Sequence, residues 1–294
     1  MSNILVTGCA GFIGSHLTER LLSLNHIVIG VDNFDSFYEE SIKRNNLKNA
    51  LEHSSFRLFE NDILDKDALR SIFSAESIDV VIHLAALAGV RNSFEYPEKY
   101  FEVNTEGTRN VFEIALAHAV KQFIHASSSS VYGEMKGEKA TEDLTPLNPI
   151  SPYAQSKVDA EILIRELQSK HNFDVNILRF FTVYGQRQRP DMAFQKFRRQ
   201  ILAGECIELY GEEMSRDFTP INKIVNGILA SLNYKNGLEV FNLGSGKRVL
   251  VKDMIQEIGT EIGITPQIKV VEKQKGDPSF TLADIGKAKK ELRY

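Results

Sequence analysis

Three glycines at three-residue spacing follow the first apolar segment of the chain. Residues 3–7 (Asn-Ile-Leu-Val-Thr) predict a buried strand, and leucines at helical spacing come after Gly8, Gly11 and Gly14. A glycine turn between a strand and a helix lets backbone amides approach a pyrophosphate at the helix N-terminus. The next predicted strand ends in Asp32, which is placed to bind a ribose 2′-hydroxyl. This order predicts an α/β dinucleotide-binding fold, and Asp32 favours NAD because a carboxylate would repel the 2′-phosphate of NADP.

Apolar segments alternate with helical patterns over the first 181 residues. The predicted strands are 4–7, 27–31, 56–60, 80–84, 122–127 and 175–180, and the longest helical patterns are 95–119 and 152–170. This alternation predicts an α/β, doubly wound parallel sheet that is covered by helices on both faces. Sites in such sheets form at the carboxyl ends of the strands, and four candidate residues fall there: Gly8, Asp32, Ala85 and Ser128.

The pattern becomes irregular after residue 181. A later helical stretch followed by an apolar run, within 223–247, is expected to return to the sheet. We therefore predict a nucleotide-binding domain from residues 1–181 plus 223–247. Residues 182–222 plus 248–294 would form a smaller C-terminal substrate lobe.

Tyr153 and Lys157 lie one helical turn apart, and Tyr153 follows Ser128 by 25 residues. Ser151 and Pro152 suit the N-cap and first position of this helix, which would place both side chains on one face. We expect the helix dipole and the Lys157 ammonium to lower the pKa of Tyr153 below its free value of about 10. A phenol tuned in this way can act as a general base, although the same spacing also occurs in ordinary helices.

Composition excludes several classes of protein. A formal net charge of −4 argues against a general nucleic-acid binder. The two cysteines, Cys9 and Cys206, do not form a disulfide framework, and Cys9 is expected to be a small filler within the glycine turn. We expect a cytoplasmic protein without a membrane span, because no apolar run reaches roughly 18 residues and no signal peptide is visible. No metal site is expected.

The glycine spacing, together with Ser128, Tyr153 and Lys157, resembles the extended short-chain dehydrogenase/reductase superfamily, and within it the nucleotide-sugar epimerases. The resemblance covers essentially the whole chain and implies a Rossmann domain with bound NAD. It implies that Ser128, Tyr153 and Lys157 are the catalytic residues. The implied cofactor contacts are Gly8, Gly11, Phe12, Ile13, Gly14, Asp32, Asn33, Asp62, Ile63, Leu84, Ala85, Ala86, Asn104, Tyr153 and Lys157.

The resemblance implies 4-epimerisation of a UDP-sugar. Tyr153 would take the proton of the 4-hydroxyl, Ser128 would hydrogen-bond the reacting oxygen, and Lys157 would hold the cofactor ribose. The hydride removed from C4 would return to the other face of a 4-keto sugar, so the cofactor would be kept between turnovers. Related 4,6-dehydratases carry an Asp-Glu pair where Ser129 and Ser130 stand, and dehydration is therefore not expected.

The segment from Arg179 to Ala193 resembles the UDP-glucuronate 4-epimerase branch. A guanidinium can hold a sugar carboxylate through two charge-assisted hydrogen bonds. We expect Thr182 and Arg189 to contact the C6 carboxylate, with Arg187 as the reserve candidate. The alternative for these arginines is a diphosphate contact or a place on the surface. The other expected substrate contacts are Arg91, Ser128, Ser129, Arg216 and Asp277.

Three other functions stay open at this point. One is a UDP-glucose or UDP-N-acetylglucosamine 4-epimerase, which would not need a carboxylate clamp. Another is a UDP-glucuronate decarboxylase, because a 4-keto uronate is a β-keto acid that can lose CO2. A third is a regulator that holds NAD without catalysis, although Ser128, Tyr153 and Lys157 are all present.

The chain departs from the family pattern around its substrate lobe. Pro220-Ile221-Asn222-Lys223 and Glu212-Glu213 replace other residues, and the sequence stops at Tyr294, some tens of residues before relatives usually end. Residues 95–118 and 152–170 resemble the helix pair that forms a four-helix interface in relatives. The resemblance therefore implies a homodimer.

Overall fold

The computed structural model describes residues 1–135, 137–171, 173–273 and 276–294. Its strands, numbered β1 to β13 in chain order, are Asn3–Thr7, Ile27–Val31, Phe56–Phe59, Val80–His83, Gln122–Ser128, Asp174–Phe180, Thr182–Tyr184, Ile207–Tyr210, Ser215–Arg216, Phe218–Pro220, Leu238–Leu243, Val249–Leu250 and Ile268–Val271. Its α-helices, numbered α1 to α11, are Phe12–Ser23, Glu40–Asn46, Lys48–Leu51, Lys66–Ala75, Val90–Glu95, Pro97–Phe101, Gly107–Ala117, Pro152–Gln168, Ala193–Leu202, Ile221–Ser231 and Val251–Ile262.

Seven parallel strands form the central sheet in the order β3-β2-β1-β4-β5-β6-β11. Alternate residues of β1 pack on opposite faces, since Ile4 and Val6 belong to one apolar cluster and Leu5 to another. Helices cover both faces, which is why these strands read as continuous apolar runs. The predicted doubly wound parallel sheet is confirmed.

The strand order reverses between β1 and β4, and this position fixes where a ligand can bind. The chain runs outward through β1, β2 and β3, then restarts on the other side with β4, β5 and β6. The connections that leave the carboxyl ends of β1 and β4 therefore diverge and open a crevice.

The chain returns to the sheet late, as the apolar run near residue 240 suggested. Strand β11 pairs in parallel with β6, from Leu238 beside Val175 to Leu243 beside Phe180. Outside the sheet, two-stranded pairs form between β7 and β10, β8 and β13, and β9 and β12. Helices α9 and α11 pack with β8 around a separate apolar cluster that includes Phe197, Ile207 and Ile255.

The predicted continuous helix over 95–119 is wrong. Helix α5 ends before Tyr96, whose φ of −129° and ψ of 57° leave the helical region, and Pro97 begins α6. Proline fixes φ and has no N–H to donate to a preceding helical turn. A wider turn of π geometry at Glu102–Glu106 then connects α6 to α7.

Helix α8 begins as the sequence indicated. Pro152 occupies its first turn, and the Ser151 hydroxyl accepts a hydrogen bond from the Ala154 amide at 3.1 Å. This cap fixes the start of the helix and with it the positions of Tyr153 and Lys157. Within the described ranges, no helix is both long and apolar enough to cross a membrane.

Candidate active site

A cleft of about 800 Å³ lies at the carboxyl ends of the sheet strands. It is lined by twenty-one of the residues expected from sequence: Gly8, Gly11, Phe12, Ile13, Gly14, Asp32, Asn33, Asp62, Ile63, Leu84, Ala85, Ala86, Arg91, Ser128, Ser129, Tyr153, Lys157, Thr182, Arg189, Arg216 and Asp277. Two others, Asn104 and Arg187, do not line it. The fold therefore gathers residues from distant parts of the chain into one cleft.

The glycine turn fits a phosphate-binding role because it is packed too tightly for side chains. Gly8 has a φ of +70°, and a Cβ there would lie 2.8 Å from the Ala85 amide nitrogen. A Cβ on Gly14 would lie 2.0 Å from the Gly8 carbonyl oxygen. Helix α1 begins directly after Gly11 without a side-chain cap, which leaves its first amides available to an anion.

Asp32 lies at the end of β2 with its carboxylate fixed by backbone amides. The amides of Ala10 and Phe34 donate to its two oxygens at 3.0 and 2.9 Å. Burial raises the pKa of Asp32, while these two hydrogen bonds and the nearby Lys43 act in the opposite direction. The carboxylate keeps acceptor capacity toward the cleft, as a ribose-binding acid requires.

Asn33, Asp62 and Ile63 form the neighbouring wall. The Asn33 side-chain amide donates to Asp62 at 2.8 Å, and Asp62 also accepts from the Leu64 amide at 2.8 Å. The Ile63 side chain lies so close to Gly107 on α7 that a Cβ on that glycine would be 2.5 Å from it. These contacts hold the predicted adenine side of the cleft.

Ser128, Tyr153 and Lys157 meet in the cleft between β5 and α8. The Ser128 hydroxyl donates to the Ser130 hydroxyl at 3.1 Å, and the Lys157 ammonium donates to the Ala126 carbonyl at 2.8 Å. The Tyr153 ring packs edge-on against Tyr100, with ring centroids 6.2 Å apart. This arrangement places a phenol, a hydroxyl and a buried ammonium beside the cofactor cradle.

The expected lowering of the Tyr153 pKa is wrong. Burial raises the pKa of Tyr153 above its ordinary value, while Ser128 and Arg189 act in the opposite direction. Burial also lowers the pKa of Lys157 to about 8, opposed by Glu161. Desolvation thus outweighs the charges that the helix pattern suggested, because the phenol lies in a largely enclosed part of the cleft.

Arg189 already holds a carboxylate within the cleft. Its Nε and Nη2 donate to the two oxygens of Asp191, both at 3.0 Å, and its side chain is only 13% exposed. The guanidinium lies over the Phe37 ring, 4.8 Å from the ring centroid. Its Nη1 donates weakly to the Ala88 carbonyl at 3.4 Å, so one edge of the guanidinium stays available to a further anion.

The other expected cations lie at the far end of the cleft. Arg216 donates to Asp277 at 2.6 Å and to the Ser215 carbonyl at 2.8 Å. Arg91 lies over the Tyr210 ring, 4.8 Å from its centroid. Arg216 is thus present where a diphosphate contact was expected, and Asp277 is its ion-pair partner.

Asn104 and Arg187 are placed outside the cleft. Asn104 is fully buried, and its amide bonds both backbone groups of Leu87 and the Ser156 hydroxyl. Arg187 has a φ of 61° and pairs with Glu19 on α1 at 2.8 Å. Asn104 therefore supports the wall of the cleft from behind, and Arg187 faces a different surface from Arg189.

Sequence reasoning missed the loop that follows β2. Phe37, Tyr38 and Lys43 all line the cleft, and the Lys43 ammonium donates to the Asp35 carbonyl at 2.5 Å while lying over the Tyr38 ring. Burial lowers the pKa of Lys43, opposed by Asp32 and Asp35. No spacing rule marks these residues, since their placement depends on how the loop folds back over the sheet.

We expect Asp32→Asn to weaken NAD binding by about tenfold, because a hydrogen bond to a charged group contributes about 1.5–3 kcal/mol. NADP binding should be weakened less, since the neutral amide no longer repels a 2′-phosphate. Titration of both cofactors into the protein, followed by fluorescence, measures the two effects. An equal loss for NAD and NADP would contradict the ribose-binding role of Asp32.

Residues 4–244 match the family model described as the NAD dependent epimerase/dehydratase family. The chain belongs to this family. A UDP-glucuronate 4-epimerase of Thermodesulfobacterium geofontis is 38% identical over 296 residues, covering 100% of this chain and 91% of the relative. An uncharacterized UDP-glucose epimerase of Bacillus subtilis, YtcB, is 41% identical over 295 residues, covering 99% and 92%.

A solved relative supports the same placement within the family. The crystal structure of UDP-glucuronic acid 4-epimerase from Bacillus cereus, in complex with UDP-glucuronic acid and NAD, matches with a TM-score of 0.93. It is 37% identical, and the match covers 99% of this chain and 93% of that one. The chain therefore has the fold of an NAD-dependent epimerase, an isomerase of the extended short-chain dehydrogenase/reductase type.

Proposed function

We propose that this chain converts UDP-glucuronate to UDP-galacturonate by NAD-dependent 4-epimerisation. The observation that carries the proposal is the geometry of Arg189, which binds a carboxylate bidentately in the same cleft as the cofactor cradle and Tyr153. A guanidinium edge in this position suits the C6 carboxylate of a uronate. Thr182 lines the cleft as well and is proposed to share this contact.

The residues divide the chemistry between them. Gly8 to Gly14 and Asp32 would hold NAD, which supplies a hydride acceptor and a positive charge when bound. Tyr153 would accept the proton of the sugar 4-hydroxyl while Ser128 hydrogen-bonds the same oxygen. The resulting 4-keto sugar would then present its other face, and the same hydride and proton would return. The step is balanced without any external oxidant.

Arg216 and Arg91 are proposed to bind the UDP part of the substrate. Both line the cleft, and their present partners are Asp277 and the Tyr210 ring. A diphosphate offers these cations a stronger anionic partner than a single carboxylate or an aromatic face. Ser129 is proposed to contact the sugar from the end of β5.

UDP-glucose 4-epimerisation is the second candidate, favoured by the printed name of the Bacillus subtilis relative. The same Ser128, Tyr153 and Lys157 would serve a neutral sugar equally well. The two candidates differ only in whether a carboxylate reaches Arg189. Decarboxylation of a uronate and cofactor binding without turnover are further outcomes of the same assay.

Incubation with UDP-glucuronate and, separately, UDP-glucose without added reductant tests the proposal. Chromatography resolves the products. UDP-galacturonate from the first substrate alone is the expected result. UDP-galactose from the second alone would keep the 4-epimerase chemistry but remove the uronate assignment, and a UDP-pentose would indicate decarboxylation.

We further propose a cytoplasmic homodimer with two lobes, residues 1–181 plus 223–247 and residues 182–222 plus 248–294. The late return of β11 to the sheet supports this division. The exposed Ile162 on α8, with 48% of its surface accessible, supports a partner on that helix face. Light scattering checks the assembly, and a monomeric mass would contradict the dimer.

A further inference from the structure

A buried ion pair lies directly behind the catalytic residues. Arg179 on β6 donates from Nε and Nη2 to the two carboxylate oxygens of Glu161 on α8, at 2.9 and 2.7 Å. The two side chains are only 2% and 1% exposed. A buried pair of this kind is often no more stabilising than apolar residues of similar volume, so stability alone gives little reason for it.

The Glu161 carboxylate joins the two elements that carry the catalytic groups. The Ser127 hydroxyl donates to Glu161 at 2.6 Å, and Ser127 directly precedes Ser128 at the end of β5. Glu161 follows Lys157 by one turn of α8, and both side chains are buried. One carboxylate therefore holds the strand end beside Ser128 against the helix of Tyr153 and Lys157.

Arg179 extends the same network to the edge of the sheet. Its Nη1 donates to the Tyr132 hydroxyl at 2.9 Å, and this hydroxyl donates to Asn242 on β11 at 2.7 Å. In the sheet register, Arg179 lies opposite Ser127. The network thus fixes the carboxyl ends of β5, β6 and β11 relative to α8.

We propose that Glu161 is a positioning residue for catalysis, which holds Ser128 and Lys157 in one rigid frame. The inference concerns the catalytic residues themselves and does not depend on which UDP-sugar is bound. Glu161 lies outside the cleft lining, so it acts through its neighbours and touches neither substrate nor cofactor.

The charge of Glu161 gives the proposal a signature in the pH profile. Around Lys157, the imidazoles of His83 on β4 and His125 on β5 are neutral, because burial lowers the pKa of His83 to about 3 and that of His125 well below its ordinary value. The Tyr153 phenol is also neutral, since burial raises its pKa.

Glu161 is therefore the anion that opposes the effect of burial on Lys157, while its own cationic partners are Arg179 and, at 3.7 Å, the half-exposed Arg165. Removing the carboxylate lowers the pKa of Lys157 further. If turnover needs a protonated Lys157, the alkaline limb of the kcat profile then moves to lower pH.

Two variants separate positioning from stability. Glu161→Met combined with Arg179→Met removes both charges at similar volume, which avoids leaving one buried charge unpaired. Ser127→Ala removes only the neutral hydroxyl bond to Glu161. For each NAD-loaded variant, kcat is measured from pH 5 to pH 10 on the sugar that the parent chain epimerises, and thermal melting checks the fold.

We expect the double variant to lose at least about tenfold in kcat, with its alkaline limb roughly one pH unit lower. Ser127→Ala should lose about threefold to tenfold in kcat with an unchanged alkaline limb. A folded double variant with the kcat and pH profile of the parent would overturn the proposal. If the double variant does not fold, Ser127→Ala decides alone, and an unchanged kcat would overturn the proposal.

A parent chain that is inactive on UDP-glucuronate but active on UDP-glucose would refute the proposed substrate without affecting this test. The variants would then be compared on UDP-glucose. Failure of the substrate proposal and failure of the Glu161 proposal are thus distinguished by different measurements.

Discussion

Replacing Tyr153 with Phe is expected to lower kcat on UDP-glucuronate by about 10³-fold, because general acid–base catalysis contributes about 10²- to 10⁴-fold. The variant keeps the aromatic ring, so the packing against Tyr100 and the N-terminal turn of α8 should be unchanged. NAD should stay bound, since the glycine turn and Asp32 are untouched. Turnover is measured by product chromatography, and bound NAD by absorbance after denaturation.

Tyr100→Phe is the matched control for this change. Tyr100 lies beside Tyr153, and its hydroxyl donates to the Ala88 carbonyl at 3.3 Å. Loss of that neutral bond should alter kcat by less than about tenfold. Comparable losses in the two variants would indicate that the cleft was disturbed as a whole and would contradict the assignment of Tyr153 as the base.

Replacing Arg189 with Ala is expected to lower kcat/KM for UDP-glucuronate by about 100-fold. Two charge-assisted hydrogen bonds of about 1.5 kcal/mol each correspond to roughly this factor. UDP-glucose has no carboxylate and should lose far less. Part of the effect is shared by both sugars, because Arg189 also opposes the burial-induced rise in the pKa of Tyr153. The ratio of the two kcat/KM values is therefore the quantity to measure.

Arg187→Ala is the matched control for Arg189→Ala. The two arginines are two positions apart, but Arg187 pairs with Glu19 outside the cleft. Its loss should change both kcat/KM values by less than about threefold, as expected of a partly exposed ion pair. An equal loss on both sugars in Arg189→Ala would remove the carboxylate role of Arg189.

Local patterns in the sequence were enough to predict the sheet and the cofactor cradle. The glycines, Asp32 and the capped start of α8 each depend on a few adjacent residues, and the structure places them as those residues indicated. The return of residues near 240 to the sheet was also readable, because a fully buried strand is apolar along its length.

Other features depended on side-chain direction, which spacing does not give. Asn104 lies in the π turn before α7, where the widened backbone changes the face on which a side chain falls. Arg187 adopts a positive φ, a conformation that non-glycine residues seldom take, and its side chain separates from that of Arg189. The sign of the Tyr153 pKa shift depended on burial, which only the assembled cleft determines.

UDP-glucuronate labelled with deuterium at C4 tests the central claim most directly. The purified protein is incubated with it without added NAD or reductant, and the products are separated and analysed by mass spectrometry. The account predicts UDP-galacturonate that retains deuterium at C4, because the same hydride leaves and returns within one turnover. Loss of the label, release of a UDP-pentose, or conversion of UDP-glucose alone would contradict it.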